Sequence, residues 1–440
     1  MALSFLLFLS LTVHVLLLRK LSFKARIPVI LFSFSYFWTT CLGAILVTFD
    51  LGYDVWSVLG ASYVDFNVLK PLGHYDYFVI LLLPLVIPQF ISLCFYAIFL
   101  RIKAGNRNLF FELINRYRIA GVSTQFLAFG SLSLFCLFEL VASGLTLNFF
   151  NIGFGVDYAE HIAARRNAMQ SLSMFYFGIV YVGLPVLSCY MLSSMLVQRK
   201  SLTHGLNFLF SFSVIAYFIL STVQKAPLLI LLIYYLVTLL LHRAITSKGL
   251  LAIGVVAFSY LGFAYSQVGA GDGSGLFLAF YQSIMRMGAS FPFYYSIFPD
   301  QVEFVGTSGG ARFIGIGATG AETALVSDYM DLVGDYTGGN VPISSSMLDG
   351  YILGGFLPLV ISQILFGGYL MVASRLCELA RSPLAVSATA YIVLWGYYLS
   401  QSTIGQILGR QSWGYIYVLL SLAVLVGLQA FIRLLSKNKV

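Results

Sequence analysis

The chain has 440 residues, of which 59% are hydrophobic and 10% are charged, and its mean hydropathy is +0.90. Soluble globular domains carry about 25% charged residues, so this composition excludes a soluble globular protein. The net charge of +8 does not indicate nucleic-acid binding, because the Lys and Arg residues lie in short segments beside apolar runs, where they set membrane orientation. We predict an all-α polytopic membrane protein that binds no nucleic acid.

Eleven apolar runs follow one another along the chain, each near the length that crosses the hydrocarbon core of a bilayer. They predict transmembrane helices at about 2–18, 27–48, 77–100, 120–142, 171–197, 205–221, 226–242, 249–266, 348–372, 384–400 and 413–433. We expect the first run to be a span and not a cleaved signal peptide, because its basic residues follow the apolar stretch. Residues 1–440 are predicted to form a single transmembrane domain, because no polar linker divides them.

The predicted orientation puts one long loop on the outer side of the membrane. Most of the 25 Lys and Arg residues fall in inner segments when the N-terminus is outside and the C-terminus is cytoplasmic, as the positive-inside rule requires. The longest gap, residues 267–345 between spans eight and nine, is then external, and such loops often carry recognition or chemistry. Within it, Leu276–Ser290 is apolar enough to form an interfacial or re-entrant helix.

Basic residues on the outer side gain nothing from the positive-inside rule, so each needs another explanation. The guanidinium of arginine forms two parallel hydrogen bonds with a phosphate and keeps its charge. Outer cations near the membrane surface therefore predict a site for the pyrophosphate of a lipid carrier, although lipid phosphates or outer carboxylates are alternative partners. The candidates are Arg165, Arg166, Lys225, Arg286 and Arg312.

Four further residues on the outer side are secondary candidates. Asp157 and Glu160 precede the arginine pair, and His161 lies four residues before Arg165, so that a helix would put both on one face. His161 is either a base or pyrophosphate ligand, or an ordinary surface histidine. Glu139 falls inside a predicted span near its outer end, where a carboxylate is either functional or reaches the interface. The five cysteines have no metal-ligand spacing, and neither a metal nor another cofactor is predicted.

The exit of the long loop, residues 337–355, contains a proline, small hydroxyl residues, Asp349, Tyr351 and a glycine pair. This order resembles the Wzy-type O-antigen and capsular polysaccharide polymerases. The turn Gln224-Lys225-Ala226-Pro227 and the polar run 155–166 resemble two other parts of that family's pattern, and the eleven-span plan agrees with it. One departure is Gly350, where an apolar residue is more common.

The resemblance implies a reaction and roles for these residues. The family transfers a growing glycan as a block from its polyprenyl-pyrophosphate carrier to the sugar end of another lipid-linked repeat unit, as an inverting glycosyltransferase. The outer cations would hold the donor pyrophosphate, and Arg286 would also act in catalysis. Asp349 would be the general base, with Asp157 and Glu160 as runners-up. Its alternative role is a negative charge at the start of a helix.

The resemblance also implies a location and partners. The protein would be a multi-pass protein of the bacterial inner membrane, making lipopolysaccharide O-antigen, capsule or exopolysaccharide. It would bind polyprenyl-pyrophosphate-linked oligosaccharide and work beside a chain-length regulator and a flippase. The alternatives are an O-antigen ligase-type glycan transferase and a polytopic lipid or solute transporter. A transporter predicts broken helices, ionisable groups near the midplane and an internal repeat.

Overall fold

Helices account for nearly all of the chain whose placement is defined. The computed structural model describes residues 12, 14–16, 19, 21–49, 61–64, 75–102, 114–115, 117, 119–152, 158–198, 202–224, 226–246, 248–249, 254–255, 259, 283–284, 287–288, 290–298, 334–336, 350–400 and 413–437. Within these residues the backbone is helical apart from loops, turns and one short pair of strands.

The elements are numbered here in chain order. The helices are α1 (Phe23–Tyr36), α2 (Leu42–Thr48), α3 (Tyr75–Leu82), α4 (Ile87–Ile102), α5 (Val122–Ala142), α6 (Tyr158–Ser171), α7 (Met174–Gly178), α8 (Leu184–Val197), α9 (Leu202–Ser221), α10 (Ala226–Leu241), α11 (Phe291–Ile297), α12 (Ile352–Gly354), α13 (Phe356–Leu379), α14 (Pro383–Tyr398) and α15 (Trp413–Lys437). The strands are β1 (Ala61–Val64) and β2 (Gly334–Tyr336). Two π-helical turns, Phe37–Cys41 and Ile179–Gly183, join α1 to α2 and α7 to α8, and 3₁₀ turns occupy Leu83–Leu85 and Asn148–Ile152.

Six helices in the described part of the chain are long and apolar enough to cross a membrane, so the protein is a helical membrane protein. They are Phe23–Thr48, Val122–Ala142, Met174–Val197, Leu202–Ser221, Phe356–Leu379 and Trp413–Leu435. Shorter apolar helices occupy Asp76–Ser92 and Ala226–Leu241. The predicted spans at 2–18 and 249–266 fall mostly outside the described residues. The total of eleven spans therefore stays a prediction.

The chain divides into two compact units, each built from separate stretches. Unit 1 comprises Met1–Asn106, Tyr281–Arg375 and Trp395–Ser412, and unit 2 comprises Arg107–Phe280, Leu376–Leu394 and Trp413–Val440. Most of α13 therefore belongs to unit 1 and most of α14 to unit 2. Whether the two units together form the single transmembrane domain predicted for residues 1–440 stays a prediction.

Small residues and buried hydroxyls hold the helices of unit 1 together. Gly367 of α13 lies so close to α4 that a Cβ there would be 2.7 Å from the Cβ of Ile91. The Ser92 hydroxyl donates to the carbonyl oxygen of Gly367 over 2.9 Å, across the same contact. Close backbone approach at glycine with interhelical hydrogen bonds is the usual way in which membrane helices associate, because lipid supplies no hydrophobic force between them.

The two strands join segments that lie far apart in the sequence of unit 1. β1 pairs antiparallel with β2, with Ala61 opposite Tyr336 and Val64 opposite Gly334. β1 belongs to the predicted outer segment between spans two and three, and β2 belongs to the long loop. The pairing brings these two segments into contact, and the predicted topology places both of them on the outer side of the membrane.

Unit 2 is centred on α8, the most enclosed of its apolar helices. The Ser188 hydroxyl of α8 bonds to the Ser211 hydroxyl of α9 over 2.7 Å and to the Tyr235 hydroxyl of α10 over 2.8 Å. All three residues are buried. The shared hydroxyl network fixes three apolar helices that have little else to distinguish their packing orientations.

Candidate functional site

Arg165 and Arg166 lie on α6, a polar helix of unit 2. Its sequence is rich in alanine, a strong helix former, and Glu160 in its first turn complements the helix dipole. Both arginine side chains and Glu160 are exposed. Neither arginine has a carboxylate partner among the residues that the structure describes. The predicted alternative of pairing with outer carboxylates therefore has no support at these two positions in the described residues.

The two arginines are not equivalent, because successive residues on an α-helix point about 100° apart. The charge of Arg165 acts on the phenol of Tyr181, whereas no such electrostatic interaction with a described residue is seen for Arg166. Tyr181 is half-buried and lies in the π-helical turn Ile179–Gly183. Such turns are frequent at functional sites.

Tyr181 connects Arg165 to the turn between α9 and α10. Its hydroxyl lies 2.9 Å from the hydroxyl of Thr222. Thr222 donates its single proton to the carbonyl of Ile219 over 2.7 Å, so Tyr181 is the donor in the bond between the hydroxyls. The charge of Arg165 and the hydroxyl of Thr222 therefore both act on the Tyr181 phenol.

The same turn is strained. Val223 has a φ of +55°, and a β-branched residue rarely adopts this conformation. Strain of this kind costs about 1–3 kcal/mol and persists where the surrounding structure enforces it, often beside functional groups. Lys225 follows this turn but lies outside the described residues. Tyr181 thus links the charge of Arg165 to the strained turn at Thr222 and Val223.

Glu139, a secondary candidate, has a structural role. Its Oε1 accepts a hydrogen bond of 2.5 Å from the backbone N–H of Ser173, and the Ser173 hydroxyl accepts from the N–H of Tyr176. Glu139 and Ser173 together satisfy free donors at the start of α7. The Glu139 Oε2 is buried without a partner in the described residues. The capping contact explains the residue without a catalytic role.

In unit 1, part of the long loop packs among the helices. At position 288 a Cβ would lie 2.5 Å from the Cα of Gly43 and 2.6 Å from the carbonyl oxygen of Thr40, so only glycine fits there. The Trp38 indole N–H donates to the Ser283 hydroxyl over 2.9 Å. Ile284, Met287, Phe291, Tyr294, Tyr295 and Phe298 are all buried.

Gly288 contacts the helical stretch that ends at Thr48 well before that end. Thr40 and Ala44 precede Thr48 by four to eight residues, which is about 6–12 Å along the helix axis. The interfacial or re-entrant helix at Leu276–Ser290 stays a prediction. The described part of the segment extends beyond the prediction, to Phe298. Arg286 itself is not among the residues that the structure describes, although its neighbours Ile284 and Met287 are.

The long loop meets, at Tyr295, a carboxylate that sequence reasoning missed. The Tyr295 hydroxyl of α11 donates to Oδ2 of Asp76, an exposed residue in the first turn of α3, over 2.6 Å. The ring of Tyr295 stacks on Tyr351, with centroids 6.2 Å apart, and Tyr351 donates to the carbonyl of Phe298. A lone Asp at the start of a predicted span was the only available signal for Asp76.

The glycine at position 350 has a packing explanation. A Cβ there would lie 2.7 Å from the Cα of Leu359, so the apolar residue more common in the Wzy-type pattern does not fit this backbone. Gly355 has a φ of +78° and separates α12 from α13. The loop exit therefore turns sharply before the long helix begins.

The remaining candidates are not placed. Asp349, Lys225, Arg286, Arg312 and Asp157 lie outside the described residues, and of His161 only the backbone, in α6, is described. Within the described residues, no group of three His, Cys, Asp or Glu side chains has the arrangement of a metal site.

Comparisons with known proteins give no match. Neither a protein family model, nor a curated protein, nor a solved structure is significantly similar to the chain. The resemblance of the loop exit to Wzy-type polymerases therefore stays a prediction.

Proposed function

We propose that the chain is a membrane glycosyltransferase that polymerises polyprenyl-pyrophosphate-linked oligosaccharide repeat units into O-antigen, capsule or exopolysaccharide. It works by block transfer at the outer face of the bacterial inner membrane, with eleven spans, an outer N-terminus and a cytoplasmic C-terminus. The observation that carries the proposal is the exposed arginine pair on α6, which lacks a carboxylate partner in the described residues. An exposed cation of this kind is available to a polyanion.

The proposed chemistry depends on electrostatic stabilisation of a leaving pyrophosphate. As the bond from the anomeric carbon to the pyrophosphate oxygen breaks, negative charge grows on that oxygen. Positioned cations that meet this charge lower the barrier, usually as the largest single contribution to catalysis. Arg165 is the best supported of these cations, because Tyr181 and Thr222 give it a fixed neighbour. Arg166, Lys225, Arg286 and Arg312 are the others proposed.

The acceptor in this reaction is a sugar hydroxyl on a second lipid-linked repeat unit. A general base removes the hydroxyl proton, the oxygen attacks the anomeric carbon from the face opposite the pyrophosphate, and the configuration inverts. Asp349 is the proposed base from the family resemblance, with Asp157 and Glu160 behind it. The flippase that delivers repeat units and a chain-length regulator are the proposed partners in the membrane.

The test is deletion of the gene followed by electrophoresis of the surface glycan. A polymerase deletion leaves chains that carry one repeat unit, and wild-type protein restores the ladder of lengths. Complementation with Arg165→Ala, at an equal protein level in the membrane, is expected to leave most chains unpolymerised. Full-length polymer retained on its carrier indicates a ligase instead. A normal length distribution in the deletion strain rejects both enzymes.

A transporter is the second candidate, and one observation in unit 1 favours it. The Ser33 hydroxyl of α1 bonds to Nε2 of His14 and to the side-chain amide of Gln89, each over 2.8 Å. Gln89 is fully buried, and its Oε1 has no partner among the described residues. Ionisable and amide groups within membrane helices mark transport pathways in many carriers. Substrate flux into vesicles without glycan elongation would favour this candidate.

A further inference from the structure

We infer that Asp76 is a catalytic residue of unit 1, the general base that takes the proton from the acceptor sugar hydroxyl, and that Tyr295 positions it. The inference rests on the proposed function and assigns the role of general base to Asp76 in place of Asp349, the residue that the family resemblance selected. It stands on the geometry of Asp76, Tyr295 and Tyr351.

Asp76 has the accessibility that a general base needs. It is exposed in the first turn of α3, and only its Oδ2 is used, as the acceptor from Tyr295. The Oδ1 has no partner among the residues described. One oxygen is therefore held, and the other, on an exposed side chain, is not engaged by a described residue. A base within hydrogen-bond reach of its substrate proton and oriented by a third group is the recurring arrangement in nucleophilic catalysis.

Tyr295 is a rigid orienting group. Its side chain is only 4% exposed, so the surrounding residues restrict the rotation of the ring. One face stacks on Tyr351 at 6.2 Å between centroids, and Tyr77 meets the ring edge-on at 5.1 Å. Aromatic pairs at these separations stabilise a defined ring orientation. The hydroxyl is consequently fixed in direction, and it fixes the Asp76 carboxylate in turn.

The position of Asp76 connects it to the residues that the family resemblance selected. Tyr351 belongs to the loop-exit motif and lies two residues after Asp349. α11 follows directly the segment in which Arg286 lies. Asp76, Asp349 and Arg286 all belong to unit 1. The described contacts of Asp76 thus reach Tyr295 and, through its ring, Tyr351 of the loop-exit motif.

The proposed step is balanced. The acceptor hydroxyl gives its proton to Oδ1 of Asp76, and its oxygen forms a bond to the anomeric carbon of the donor glycan. The bond from that carbon to the pyrophosphate breaks, and the electron pair leaves with polyprenyl pyrophosphate. Asp76 then returns the proton to water. No oxidant, reductant or nucleotide is consumed.

The experiment measures elongation by purified full-length protein in proteoliposomes. The probe is the lipid-linked repeat unit extracted from bacteria that lack this chain. Asp76→Asn is the informative variant, because an amide oxygen still accepts from Tyr295 but does not take a proton at neutral pH. We expect kcat to fall about 10²–10⁴-fold, the usual contribution of a general base, with KM within about twofold of wild type. Asp76→Glu should recover part of kcat.

Tyr295→Phe is the test of positioning, and Tyr36→Phe is its matched control. Tyr36 is also buried in unit 1, but its hydroxyl donates to the backbone carbonyl of Leu81 over 3.1 Å. We expect Tyr295→Phe to lower kcat about 10–100-fold with little change in KM, the size of one lost hydrogen bond to a charged group, and Tyr36→Phe to leave kcat near wild type.

The outcomes separate the two levels of the argument. If wild-type protein elongates and Asp76→Asn elongates at the wild-type rate, Asp76 only fastens α11 to α3 and the inference is wrong. If Tyr36→Phe loses as much kcat as Tyr295→Phe, the positioning role is wrong. If folded wild-type protein does not elongate at all, the proposed function fails first.

Discussion

Gly288→Ala is expected to push the buried part of the long loop away from the helical stretch that ends at Thr48, and to lower the melting temperature of the protein. The added Cβ would lie 2.5 Å from Gly43 Cα, 2.6 Å from Ala44 N and 2.6 Å from Thr40 O, and all three are backbone atoms. An ordinary contact begins near 3.4 Å, so the segment must move away by about 1 Å. A gap of that size forfeits about a quarter to a half of the dispersion energy across the contact. Overpacking of this kind costs about 1–3 kcal/mol.

The matched control is Gly130→Ala in α5, where a Cβ meets nothing within 4 Å. Alanine is a better helix former than glycine by about 1 kcal/mol, so this variant should be neutral or slightly stabilised. The assay heats both purified variants in detergent and measures the protein that remains monodisperse. Equal melting temperatures for the two variants would show that the segment does not pack against α2.

Three further predictions concern Arg165, Tyr181 and Gly350. Arg165→Ala should weaken binding of polyprenyl pyrophosphate about 10–100-fold, the range for a hydrogen bond to a charged group. Arg166→Ala should weaken it less, and equal losses of affinity in a binding titration would contradict the special role of Arg165. Tyr181→Phe should lower the same affinity about tenfold at unchanged protein level, and a wild-type affinity rejects the connection through Tyr181. Gly350→Leu should lower the melting temperature despite the family pattern, because Leu359 occupies the space; a wild-type melting curve refutes that packing.

The helices were predictable because their signal is local. Apolar runs of membrane length predicted six helices that the structure contains. Five of them agree with the prediction within about four residues at each edge, whereas the run predicted at 348–372 forms a helix at Phe356–Leu379, displaced by seven to eight residues. The helix carrying Arg165 and Arg166 was also accessible, since an exposed polar run shows in the sequence. The π-helical turns were not, because a single extra residue in a turn leaves the apolar pattern unchanged.

The candidate site of unit 1 depends on contacts between distant residues. Asp76 and Tyr295 are 219 residues apart, and no periodicity relates them. The role of Glu139 was equally hidden, since its partner is the backbone of Ser173 and not a side chain of recognisable chemistry. Local sequence indicated which residues carry charge near the outer side. Tertiary packing decides which of these side chains already have a partner among the described residues and which do not.

The central claim is that the protein elongates lipid-linked glycan, and one measurement tests it most directly. Purified wild-type protein in proteoliposomes, supplied only with lipid-linked repeat units from bacteria that lack the chain, should produce glycans of two and more repeats. It should release one polyprenyl pyrophosphate for each bond formed. Glycans that remain one repeat long, with no carrier released by folded protein, would contradict the claim.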